Sequence, residues 1–168
     1  MDQKNLHTAF LENQFGPISI GILKQENKLR MVNLYDQHSV SRTVAIVQFH
    51  ETDKEVVRSA HQKILNGDPL GNTLSISDID FDKIQLQKFM VRLPDWLIED
   101  FGSAETETLA IHSQINIRDA SEEEAFLYAN IIEIIPPDIL YLFQLNGELK
   151  NADTKELADM LDFASIST

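Results

Sequence analysis

Cysteine is absent from all 168 residues, which excludes disulfides, thiolate metal sites and a cysteine nucleophile. The five histidines show neither H-x-H nor H-E-x-x-H spacing, so no metal is expected. Basic side chains are also scarce: 14 Lys plus Arg against 27 Asp plus Glu leave a formal charge of -13. Nucleic acid and anionic lipid bind mainly by pairing phosphates with Lys and Arg, so neither is an expected partner. No stretch approaches the roughly eighteen apolar residues of a membrane span, and the opening ten residues carry no apolar leader core. The expected location is cytoplasmic. Nucleotide and serine-hydrolase signatures are missing as well: no G-x-G-x-x-G, Walker or G-x-S-x-G motif occurs, and no cofactor is expected.

What remains is an ordinary globular composition, 43% hydrophobic and 24% charged, consistent with a single domain over residues 1–168 that can bury a core. The charge is uneven. Residues 1–75 hold 8 basic and 8 acidic side chains and residues 76–168 hold 6 and 19, so the second half carries the whole excess (6 minus 19 is -13). An anion site is therefore expected in the first half.

Periodicity supplies the elements. Asn5 is placed to cap a short helix with Leu6, Phe10 and Leu11, ended by Gly16-Pro17. The period then changes to two over Ile18 to Leu23, with a polar turn at Lys24 to Asn27 and strands at Leu29 to Tyr35 and Val40 to Phe49. Thr52 and Glu55 form a capping-box pattern before a helix whose apolar face is Val56, Val57, Ala60, Ile64 and Leu65. Asp68 to Gly71 reads as a loop, and Ser77 to Gly102 fits helix or strand, with a short helix after Pro94. Leu109 to Arg118 alternates cleanly and pairs, across the acidic turn Asp119 to Glu124, with Ala125 to Ile135. A last helix starts near Asp153 or Thr154. Consecutive hairpins with helices between them predict an α+β domain, an antiparallel sheet of about six strands with helices on one face.

Four stretches in order resemble the chorismate lyase family. These are Leu6-His7-Thr8 before the strand Pro17 to Leu23; Leu29-Arg30-Met31-Val32; Ser41-Arg42-Thr43-Val44 with Asp68-Pro69-Leu70-Gly71-Asn72-Thr73-Leu74; and Ile131-Ile132-Glu133 with Pro137. The resemblance spans roughly residues 6–137 and leaves 138–168 as a C-terminal extension. It implies a small buried site and elimination of pyruvate from chorismate to give 4-hydroxybenzoate. Glu133 and Arg30 would be catalytic, with Arg42, Leu70, Gly71 and His7 binding substrate. The sequence departs from the family at His7, where an apolar residue is usual, and at Ile111-His112, where an arginine pair often precedes a serine like Ser113. The rival expectation is a non-catalytic protein binding a small aromatic carboxylate on the same fold, an architecture that effector-binding domains of GntR-type regulators share without catalysing anything.

The residues carry their own chemistry. A desolvated carboxylate calls for planar, permanently charged donors, which Arg30 and Arg42 supply; otherwise each is a strand arginine with its head in water. Glu133 lies among Ile131, Ile132, Ile134 and Ile135, so a carboxylate must sit among aliphatic side chains unless it guards a sheet edge. Leu70 and Gly71 offer backbone N–H groups, or merely end a helix. His7 is either an acid–base group at a pocket mouth or a packing residue.

Overall fold

The computed structural model describes residues 7–50, 53–143 and 154–168. Asn5, Leu6, Thr52 and Asp153, expected at helix starts, lie outside them. The chain forms α1 (His7–Phe15), β1 (Ile18–Glu26), β2 (Leu29–Asp36), β3 (Ser41–Phe49), α2 (Glu55–Leu65), α3 (Leu70–Ile76), β4 (Phe81–Arg92), α4 (Asp95–Phe101), β5 (Glu107–Ile117) and β6 (Phe126–Ile134). A 3₁₀ turn, Pro137–Leu142, and a last helix, α5 (Lys155–Phe163), complete it. The protein is α+β, with one open six-stranded sheet in the order β1-β2-β3-β6-β5-β4. Every pairing is antiparallel.

The expected hairpins are present. Leu29 faces Gln48 and Leu34 faces Thr43 across β2–β3, while Gln114 faces Asn130 across β5–β6. The first turn is tighter than expected: β1 continues to Glu26 and the reversal falls on Asn27-Lys28, with Asn27 in the left-handed region at φ 51°. Asp68 to Gly71 is only partly a loop. Pro69, at φ -60°, sits at the N-cap, and Leu70 and Gly71 open α3. At α5, the Thr154 hydroxyl accepts the Leu157 N–H at 3.3 Å, as an N-cap does.

Helices cover both faces of the sheet, which corrects the expectation of one. Val44, Ile46, Ile132 and Ile134 pack with Leu97 and Phe101 of α4 and with Leu157, Met160 and Leu161 of α5. Their alternate neighbours Ala45, Val47 and Ile131 point the other way, toward α1, α2, α3 and the 3₁₀ turn. The uninterrupted apolar run Val44-Ala45-Ile46-Val47 is what a strand buried on both sides requires. Part of the second layer, α5, comes from the C-terminal extension.

The unsettled segment is β4, and its ambiguity has a cause. Register shifts between Gln85 and Gln87, so Leu86 is an extra residue in the strand. A bulge reverses the parity of everything beyond it. Phe81, Lys83 and Gln85 therefore share a face with Lys88, while Phe89 and Val91 pack toward α4 and α5. No single period describes the segment. Phe89→Ala should cost about 3–5 kcal/mol in urea unfolding; Leu86→Ala, at the exposed bulge, should stay within about 0.5 kcal/mol. Equal losses would show that the bulge does not sort these side chains.

Candidate functional site

Glu133 stands mid-sheet on β6, flanked by Ala45 on β3 and Ile111 on β5, and is only 5% exposed. Its carboxylate is paired rather than lost: Lys83 Nζ donates to Oε1 at 2.7 Å, and His7 Nδ1 lies 3.2 Å from Oε2. Burial alone would raise the carboxyl group, but His7 and Lys83 outweigh it and hold Glu133 below its ordinary range, as a carboxylate. Burial likewise pushes His7 below 6.5; Glu133 pulls the other way without reversing this, and Lys83 adds to the lowering. A neutral His7 can donate Nδ1–H to Glu133, with Nε2 2.6 Å from the Thr43 hydroxyl oxygen. Helix α1 is thereby pinned over the sheet, with Phe143 stacked 5.7 Å from the His7 ring.

Arg30 is buried on β2, 1% exposed. Its Nη1 donates to the Ile64 carbonyl in the last turn of α2, and its guanidinium lies 5.7 Å from the Phe49 ring centroid. Nε has no partner. Among the described residues no carboxylate pairs with Arg30 in a salt bridge, and burial lowers the guanidinium to about 10 despite the opposing effect of Tyr128. An unmatched buried cation is expensive, so this environment favours an incoming anion.

These residues line two spaces that share part of their lining. An inner cavity of about 70 Å³ is lined by Arg30, Leu70 and Gly71 together with aliphatic side chains of β2, β3, β5 and β6. An outer vestibule of about 520 Å³ is bordered by Gln85, Lys88 and Ser113 and roofed by Phe10 and Phe143. His7, Lys83 and Glu133 line both.

Five of the six residues singled out in the sequence, His7, Arg30, Leu70, Gly71 and Glu133, thus meet at one cavity. Arg42 lines neither space. Its Nε and Nη2 both donate to Asp36 Oδ2, at 2.9 and 2.7 Å, and its guanidinium lies 3.9 Å from the Phe15 ring centroid. Asp36 in turn accepts the N–H groups of His38 and Val40, at 2.8 and 3.1 Å, fastening the β2–β3 turn. Arg42 is a turn clamp. Sequence reasoning missed Lys83 and Lys88, both in the acidic half that was expected to lack an anion site. The only signal was their place in β4, blurred by the bulge at Leu86. His112, next to the lining residue Ile111, faces the opposite side and contacts Asn130 at 3.0 Å.

Among the described residues no three His, Asp or Glu side chains gather where they could hold a metal ion, and no helix is long and apolar enough to cross a membrane. Compared with models of known families and with curated proteins, the chain matches none.

The depressed His7 ties stability to pH. In the unfolded chain this imidazole takes up a proton as pH falls through 6.5, while the folded protein resists, so its stabilising contribution is lost on acidification. His61, lowered by burial and by Arg30, acts in the same direction. The thermal midpoint should fall between about pH 7 and pH 5, and His7→Gln should make that fall shallower without abolishing it. A slope unchanged by His7→Gln, measured by circular dichroism, would contradict a neutral buried His7.

Proposed function

We propose that the inner cavity binds the carboxylate of a small ring compound and that the protein is a chorismate lyase-like enzyme, eliminating pyruvate from chorismate to give 4-hydroxybenzoate. The observation that supports this most directly is the buried Arg30, with an unpartnered Nε and no carboxylate partner among the described residues, in the same apolar cavity as the buried carboxylate of Glu133. A guanidinium orients a planar carboxylate, and a buried ionised carboxylate can accept a proton or a ring hydroxyl. The order of elements agrees with the resemblance: the candidate residues come from α1, β2, the start of α3 and β6. The second helical layer, α4 and α5, is a departure from the family's single layer, and α5 belongs to the extension beyond the resemblance.

A second reading, an aromatic-carboxylate binding protein without turnover, is favoured by one observation. With Arg42 held by Asp36 and His112 turned to the other face, Arg30 is the one arginine among the described residues that lines the cavity.

Incubation with chorismate decides between them: the lyase reading expects 4-hydroxybenzoate and pyruvate in equal amounts, and the binding reading expects neither, with 4-hydroxybenzoate still bound. Arg30→Ala should weaken 4-hydroxybenzoate binding by about 2–5 kcal/mol, read by calorimetry. Glu133→Gln should keep binding and lower turnover by about 10²–10⁴-fold. If Arg30→Ala folds and binds normally, the cavity is not a carboxylate site.

A further inference from the structure

The inner cavity and the vestibule have three lining residues in common, His7, Lys83 and Glu133. A ligand with its carboxylate in the inner cavity and the rest of its structure in the vestibule must pass between these three side chains. Two of them, Lys83 and Glu133, are bonded to each other at 2.7 Å. His7 has both ring nitrogens occupied, by Thr43 and Glu133, so it positions the carboxylate and has no proton to spare.

We propose that Lys83 is the general acid of this site and that Lys83 and Glu133 together form a proton relay. The inference rests on the lyase reading above and extends it. With the ring carboxylate on Arg30, the enolpyruvyl group extends into the vestibule and the breaking C–O bond lies at the junction. In the trans-configured substrate, the hydrogen on C4 and the ether oxygen on C3 lie on the same ring face. Base and acid must therefore stand side by side, as a bonded carboxylate and ammonium do. Glu133 takes the C4 hydrogen as a proton, and the C–H electron pair becomes the third double bond of the aromatic ring. The C3–O pair leaves on the ether oxygen, which receives a proton from Lys83. The enol released tautomerises to pyruvate. Glu133 is then a neutral acid beside a neutral amine, and transfer of its proton to Lys83 restores both. No oxidant, reductant or further reactant is needed.

The competing role for Lys83 is a purely structural ion pair. Lys83→Arg separates the two, because a guanidinium keeps the charge and the contact but is too weak an acid to release a proton. The relay expects K83R to bind 4-hydroxybenzoate within about threefold of wild type while kcat drops by about 10²–10⁴-fold. It also expects the solvent isotope effect on kcat, which reports a proton in flight in the rate-limiting step, to differ between wild type and K83R. K83M serves as a second probe, scored only for kcat in the folded fraction and expected to match K83R. A K83R enzyme with wild-type kcat and an unchanged solvent isotope effect would overturn the relay while leaving the lyase reading intact. No turnover by wild type would overturn the lyase reading, and the relay with it.

Discussion

One buried carboxylate sets terms for the rest of the molecule. Glu133 sits in the middle of the sheet among isoleucines, and a bare charge there would destabilise the fold by several kcal/mol. Each compensating contact comes from a different part of the chain. Lys83 must arrive from edge strand β4, and the bulge at Leu86 lets the residues before it face Glu133 while Phe89 and Val91 fill the opposite core. His7 must arrive from α1, which fixes that helix over the sheet and occupies the Thr43 hydroxyl. Ala45, opposite Glu133 on β3, is small enough to leave space above the carboxylate. The cavity is the space bounded by these compensations.

Electrostatics sharpen the contrast between site and surface. The chain carries -13 overall, yet among the described residues the two cavities are lined by Arg30, Lys83 and Lys88 against the carboxylate of Glu133. Beyond a Debye length of about 8 Å at physiological salt, surface charges are largely screened. An anionic ligand therefore gains nothing from long-range steering and is recognised only once inside, where the low-dielectric walls strengthen each contact. Such a site favours discrimination at short range over rapid capture.

The sequence made much of this legible, and its failures have physical reasons. Strict alternation marked β5, because successive strand residues point to opposite faces and its aliphatic and polar residues take different faces even though both are largely buried, and polar turns marked both hairpins. Glu133 stood out because a carboxylate within four isoleucines has few stable explanations. Arg42 was misplaced although its partner Asp36 is only six residues away, since the side chain's direction across a turn is invisible to composition. Charge-counting by halves failed for Lys83 and Lys88, because a sheet brings distant strands together regardless of the charge of their sequence neighbours. The second helical layer was foreshadowed by the continuous apolar run in β3, which outweighs the hairpin logic that suggested one covered face.

The two faces differ in how continuously they pack. On one, residues from β2, β3, β4, β5 and β6 join α4 and α5 in a single apolar cluster running from Met31 to Ile166. On the other, the core is split in two, one part under α2 and α3 and one under α1 and the 3₁₀ turn. The inner cavity lies along that split, lined by Val47, Ile115 and Ile131 of one cluster and by Val32, Leu34 and Ala45 of the other. A continuous core there would leave no room for Arg30 or Glu133. Close packing is given up where two buried charges need space, and the opposite face, extended by the C-terminal helix, supplies the uninterrupted burial that lets the fold tolerate them.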